Sequence, residues 1–144
     1  MPIKFVPAAG TILLCDYGMG GFRAPEMVKR RPAVIVSPKR LPHRDGLCSV
    51  VPLSTTAPRV PLNYIVQIKL AAPLPMERFA SDVMWAKCDM VATVCFERLD
   101  LFRDGRGTEG KRKYYTPRVC ESDLALIRNG ILISLGLTPV DISA

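Results

Sequence analysis

Apolar residues in this chain fall into short, separated runs. Thr11–Asp16 (TILLCD) follows Gly10 and predicts a first strand. Pro32–Ser37 (PAVIVS) is β-branched, uninterrupted and stopped by Pro38, the mark of a buried strand. Leu47–Ser54 (LCSVVPLS) predicts a third strand, in which Pro52 removes one backbone donor and should put the strand's end at an edge or bulge. Tyr64–Leu70 (YIVQIKL) alternates in strand fashion, and Met84–Val94 (MWAKCDMVATV) predicts one bent strand or two short ones. Between these runs, Tyr17–Arg31 holds three glycines, a proline and several charges, and predicts a loop. Lys39–Gly46 (KRLPHRDG) is a polar connection whose Asp-Gly suits a hairpin turn. Only near the end does the period change. Leu124, Ile127, Ile131 and Leu135 recur at helical spacing, with Ser122 as N-cap, Gly136 as the stop and Pro139 just beyond. Gly130 weakens that helix by about 1 kcal/mol relative to Ala. The pattern predicts a mainly β protein: one domain over residues 1–144, a strongly bent sheet or small barrel closed by a C-terminal helix.

Composition supports this outline and adds a charge problem. Thirteen prolines and ten glycines among 144 residues argue against a coiled coil or a helical bundle. An apolar share of 49% and a charged share of 23% exclude a disordered chain. Twenty Lys and Arg against thirteen Asp and Glu leave a net charge of +7. The excess is local, with six basic residues and no acid from Lys29 to Arg44, and seven basic residues against three acids from Arg98 to Arg118. Within the second stretch, Asp104–Gly110 (DGRGTEG) predicts a mobile loop. Such concentrations call for an anionic partner: nucleic acid first, an acidic protein second, a membrane surface third.

Cys15, Cys48, Cys88, Cys95 and Cys120 are odd in number, lack a C-x-x-C spacing and share the chain with one histidine, His43. No zinc site or other metal cofactor is expected from that set, and a reducing compartment, the cytoplasm, fits it. No basic segment followed by an apolar one opens the sequence, and no apolar run reaches about 18 residues, so neither a secretory leader nor a membrane span is expected.

Four patterns occur in order: GTILLCD at Gly10–Asp16, EMVKRRPAVIVS at Glu26–Ser37, VVPLSTT at Val50–Thr56 and AKCDMVATVCFERL at Ala86–Leu99. Together they resemble the PemK/MazF family of toxin endoribonucleases over about residues 10 to 135. The resemblance implies an SH3-like β-barrel with a C-terminal helix and a homodimer. It implies cleavage of single-stranded RNA without a metal or other cofactor, leaving a 2′,3′-cyclic phosphate and a 5′-hydroxyl. It also implies an acidic antitoxin that covers the RNA groove. Two other readings of the residues stay open: a non-catalytic RNA- or DNA-binding module, and a protein-interaction domain with a basic groove.

Metal-free cleavage needs a base for the 2′-hydroxyl, an acid for the leaving oxygen and cations for the phosphoryl charge. By the resemblance, Arg31, the arginine before the proline, is the phosphate clamp, and its planar fork suits two phosphate oxygens. Ser54 and Thr55 match the Ser/Thr turn after the third strand and could hold a phosphate; ordinary turn chemistry is the competing reading. Lys87 and Asp89, at i and i+2, would share a face of an extended segment, as an RNA-lining pair or a surface ion pair. Glu26 matches an acidic position that either acts as a base or holds Arg31. Catalysis is thus assigned to Arg31, Asp89, Glu26 and Ser54. RNA binding is assigned to Lys87, Thr55, Lys29, Arg30 and the loop residues Tyr17, Phe22 and Arg23, whose two aromatics would either stack on bases or anchor the loop. Trp85, the single tryptophan, is expected in the core. Two departures from the family stand out: Pro25 where some members carry a histidine, and Met90-Val91-Ala92-Thr93 where many read Gln-x-Arg-Thr. Arg103–Lys113 is a further basic loop able to attract phosphates.

Overall fold

The computed structural model describes residues 2–41, 44–106 and 112–137. The strands are β1 (Ile12–Asp16), β2 (Arg30–Ile35), β3 (Leu47–Ser54), β4 (Ile65–Lys69), β5 (Val83–Lys87), β6 (Ala92–Cys95) and β7 (Leu99–Asp100). A separate hairpin joins β8 (Phe102–Arg106) to β9 (Arg112–Tyr115), and one helix, α1 (Glu121–Ser134), follows. The first seven strands form one antiparallel sheet in the order β4-β5-β3-β2-β1-β7, with β6 also paired to β3. Of the two forms expected for Met84–Val94, one bent strand or two short ones, the second is found: β5 and β6 are parted by a single 3-10 turn at Cys88–Met90.

Strand β3 explains the bend. Its first half pairs with β6, from Leu47↔Cys95 to Val50↔Ala92. Its last two residues pair instead with β5, at Leu53↔Ala86 and Ser54↔Trp85. Pro52 is therefore not on an outer strand. It sits where β6 gives way to β5, a gap in the ladder that tolerates a missing N–H.

Both faces of β1, β2 and β3 are buried, which is why those segments read as unbroken apolar runs. Ile12, Leu14, Val34, Val51 and Leu53 face one core, shared with Ile68, Met84, Ala86 and the helix residue Ile127. Leu13, Cys15, Ala33, Ile35, Cys48 and Val50 face a second core, shared with Tyr17, Met27, Val94 and Leu99. Each fully buried Leu, Ile or Val contributes on the order of 2 kcal/mol. These central strands thus hold most of the stabilising surface.

The helix begins one residue before the expected cap. Cys120 takes the N-cap position without a side-chain capping bond, and Ser122 lies in the first turn beside Glu121 and Asp123. Those two acids suit the positive end of the helix dipole. At the other end Gly136 (φ +74°) turns the chain, its N–H reaching Ile133 O at 3.0 Å while Leu137 N–H reaches Leu132 O at 2.9 Å. This is a Schellman close, which satisfies the last carbonyls. Leu135, expected on the apolar stripe, is past the helix and exposed. The residue that weakens the helix proves to be required: a Cβ on Gly130 would lie 2.7 Å from Cys88 Sγ and 3.0 Å from its Cβ. The helix backbone rests directly on the 3-10 turn, and Arg128 ties it to the Val36 carbonyl at 3.0 Å.

The short β7 and the β8–β9 hairpin have no counterpart in the expected pattern. Residues 104–106 of the expected loop belong to β8, and residues 107–111 lie outside the described residues, as does His43. No helix among the described residues is long and apolar enough to cross a membrane.

Candidate active site

Sheet register decides which candidates share a surface. Residues paired across antiparallel strands point to the same face, and alternate residues follow them. Cys15 pairs with Arg31 and Ala33 with Pro52. Arg31 on β2 is therefore on the same face as Ser54, two residues beyond Pro52 on β3. Ser54 pairs with Trp85, and Lys87 follows Trp85 at the next alternate position. Arg31, Ser54, Trp85 and Lys87 are thus displayed on one face of the bent sheet. Arg30 points the other way and is engaged there, 3.7 Å from Asp100. That exposed pair is worth little, about 0–1 kcal/mol. Of the run Lys29–Arg31, only Arg31 is held in the sheet on the candidate face; Lys29 is exposed ahead of the strand.

Arg31 is half-buried, and its Nε lies buried with no hydrogen-bond partner among the described residues. Burial pulls its pKa below the ordinary arginine value; the nearby Tyr17 opposes this and the Arg78 guanidinium adds to it. A planar donor fork, partly desolvated and facing a second cation, is poised to accept an anion. Ser54 is buried, and its Oγ accepts the Thr56 N–H at 3.1 Å. That is the turn chemistry weighed against phosphate binding, although the hydroxyl proton stays free to donate. Thr55 is half-buried beside it.

Asp89 and Met90 form a ridge between two cavities. One, of about 430 Å³, is lined by residues of the Thr56–Ile65 segment together with Lys87, Asp89 and Met90. The other, of about 340 Å³, is lined by Tyr17, Phe22, Pro25, Glu26 and Met27 on one side and Asp89 to Ala92 on the other. Asp89 lies on the 3-10 turn rather than in an extended segment, so the expected alternation with Lys87 fails. The two still line one cavity, and no ion pair joins them among the described residues. Glu26 is exposed; its carboxylate accepts the Arg23 N–H at 3.4 Å, and its own N–H donates to Arg23 O at 2.8 Å. That reciprocal turn joins Glu26 to Arg23, and among the described residues no ion pair joins Glu26 to Arg31.

In the glycine-rich loop after β1, the anchoring alternative fits the two aromatics better than the stacking one. Tyr17 is fully buried and cannot stack on a base. Phe22 is half-buried and meets the Tyr17 ring edge-on, centroids 5.5 Å apart. The two aromatics anchor the loop. Burial pushes the Cys15 thiol beneath them up to about 12 and drives the Tyr17 phenol far above its ordinary value. Cys88, under the ridge, is likewise raised to about 12 by burial. These thiols are packing groups, not nucleophiles.

Trp85 is half-buried on the candidate face rather than in the core. With Pro58, Arg59, Leu62, Ile65 and Gln67 it lines a third cavity of about 480 Å³. Its alternation with the buried Met84 and Ala86 was the signal that could have placed it outward. Where the family pattern has an arginine, Met90, Val91 and Ala92 make an apolar wall. Thr93 points away and meets Ser49 Oγ at 3.3 Å. Among the described residues no three His, Cys, Asp or Glu side chains gather as a metal site.

A strongly bent antiparallel sheet and a C-terminal helix, with an arginine-led polar face, define a small, mainly β domain. The sequence profile of the PemK-like, MazF-like toxins of type II toxin-antitoxin systems matches residues 8–112, and the chain belongs to that family. It is 32% identical over 123 residues to the uncharacterized protein YifN of Escherichia coli (strain K12), covering 74% of this chain and 80% of that one. The fold is shared with a mycobacterial endoribonuclease solved with its cognate antitoxin, at TM-score 0.59 and 21% identity over 91% of this chain and 96% of that one. It is shared also with MazF from Deinococcus radiodurans, at TM-score 0.60 and 19% identity over 93% of this chain and 100% of that one.

Proposed function

We propose that this toxin is a metal-independent endoribonuclease acting on single-stranded RNA. The observation that carries this reading is the convergence of Arg31, Ser54 and Lys87 on one sheet face, with Glu26 and Asp89 lining a single cavity at its rim. The 2′-oxygen attacks phosphorus, the bond to the 5′-oxygen breaks, and a cyclic phosphate forms. Glu26 or Asp89 takes the 2′-hydroxyl proton, and water donates the proton with which the 5′-oxygen leaves. Arg31 neutralises the developing phosphoryl charge, with Ser54 donating beside it and Lys87 adding longer-range attraction. Thr55 and the exposed cations Arg23 and Lys29 contribute to backbone attraction, while Arg30, turned to the opposite face beside Asp100, adds only longer-range charge. The stacking role expected of Tyr17 passes to Trp85, whose half-buried ring lies on the same face. The chain works as a cytoplasmic homodimer restrained by an acidic antitoxin, in keeping with the antitoxin complex of the mycobacterial relative.

The test is incubation of the purified protein with a diverse RNA set in excess chelator. Cleavage that survives chelation and leaves cyclic-phosphate ends is the expected result. Binding of RNA without cutting would instead make the chain a non-catalytic nucleic-acid module. Failure to bind RNA even at low salt would leave a protein-interaction domain.

A further inference from the structure

Arg98 lies on a 3-10 turn (Phe96–Arg98) just before β7, far in sequence from the loop that follows β1. Its side chain nevertheless reaches the end of β1 at one point and that loop at two. One guanidinium nitrogen donates to Asp16 O at 3.0 Å and another to Gly20 O at 2.6 Å. The guanidinium carbon sits 4.7 Å from the centre of the Phe22 ring, a cation–π contact. The loop backbone is shaped to receive it, because Gly20 (φ +50°) and Gly21 (φ +97°) both adopt positive φ where the guanidinium arrives. The same loop carries Phe22, Pro25 and Glu26, which wall the cavity shared with Asp89.

We propose that Arg98 is a positioning residue that sets the shape of the Tyr17–Met27 loop, and through it the RNA selectivity of the cavity. Five N–H donors on a planar fork let one side chain hold two carbonyls and a ring together, which an ammonium cannot do. A displacement of about 1 Å at a positioned group can cost on the order of a hundredfold in rate. This role rests on the endoribonuclease reading, but the loop's fastening can be read without RNA.

Arg23 is exposed within the loop and Arg59 is exposed outside it, so trypsin reports on both. In Arg98→Ala, nicking after Arg23 is expected to accelerate at least tenfold while nicking after Arg59 is unchanged. Arg98→Lys is expected to behave like Arg98→Ala, because charge without the fork does not bridge the two carbonyls. On RNA, both variants are expected to lose about tenfold in kcat/KM and to spread cleavage over more sites. Phe22→Leu keeps both carbonyl bonds and should raise nicking only two- to threefold, which covers the case in which Arg98→Ala does not fold. Unchanged nicking at Arg23, equal acceleration at Arg59, or an unaltered cleavage pattern would each overturn the proposal. If the wild-type protein cuts no RNA yet the nicking differs as stated, the endoribonuclease reading fails and the clamp stands.

Discussion

Two segments flank the Asp89–Met90 ridge, and they are held by different means. The loop between β1 and β2 is fastened by side chains: Tyr17 and Met27 are buried, Phe22 packs on Tyr17, and Arg98 bridges the Gly20 carbonyl to that of Asp16 at the end of β1. The segment between β3 and β4 is held by its own backbone. Pro58 and Pro61 stiffen it, the Ser54 hydroxyl takes the Thr56 N–H, and Ile65 N–H reaches Leu62 O at 3.2 Å. Ala57, Arg59, Val60 and Pro61 remain exposed. Fastening by side chains requires long-range packing and yields a fixed wall, which suits acid–base chemistry. Proline stiffness keeps a surface extended and open, which suits the approach of a long anionic ligand.

If the fastened side carries the chemistry, the largest effect belongs to Arg31. Arg31→Ala should reduce RNA cleavage by about a hundred- to a thousandfold while leaving the circular-dichroism spectrum and dimer unchanged. The same variant should relieve growth arrest on expression, and full activity would place the chemistry elsewhere. Asp89→Asn, on the ridge between the two walls, should lower the single-turnover rate about a hundredfold with RNA affinity nearly unchanged. Equal losses in rate and affinity would make Asp89 a binding residue.

The ridge's support is testable through Gly130. Gly130→Ala should destabilise the protein, because a Cβ 2.7 Å from Cys88 Sγ overpacks the contact. The expected cost is about 1–3 kcal/mol, against a helix-propensity gain of about 1 kcal/mol. A lower urea midpoint is therefore expected, and Cys88→Ala in the same chain should recover part of it. A rise in stability would show that helix and turn are not in firm contact. The smallest effect belongs to the open side. Arg59→Ala should weaken RNA binding only a few-fold and reduce the salt slope by roughly 0.7, as for one lost phosphate contact on a single strand. A loss of rate at saturating RNA would break the division between the two walls.

Strands β1 to β5 were legible because their apolar runs are long enough to show burial locally. Arg31, Ser54, Glu26 and Asp89 could be proposed from the sequence only as residue types at family positions. The failures share a cause. Tyr17 and Phe22 in a glycine-rich stretch can be stacking or anchoring groups until their packing partners are known. Trp85 looks like core because size alone says nothing about the face it occupies. The strands β7, β8 and β9 are short or charged, so their pairing partners rather than their composition define them. Arg98 was read as part of the resemblance and of a basic stretch, and nothing within ten residues of it reveals a contact with Asp16 and Gly20.

By itself, then, the sequence determined the mainly β class and the terminal helix with its glycine stop, and through the family resemblance it offered the residue types of a candidate phosphate site. These follow from local periodicity and side-chain chemistry, which neighbours along the chain suffice to set. Tertiary structure alone decided that β3 changes partners at Pro52, that Arg31, Ser54 and Lys87 share one face, and that Gly130 must lack a side chain. Those outcomes depend on register and close approach between segments 20 to 80 residues apart. Each is fixed only when non-local packing excludes the alternatives.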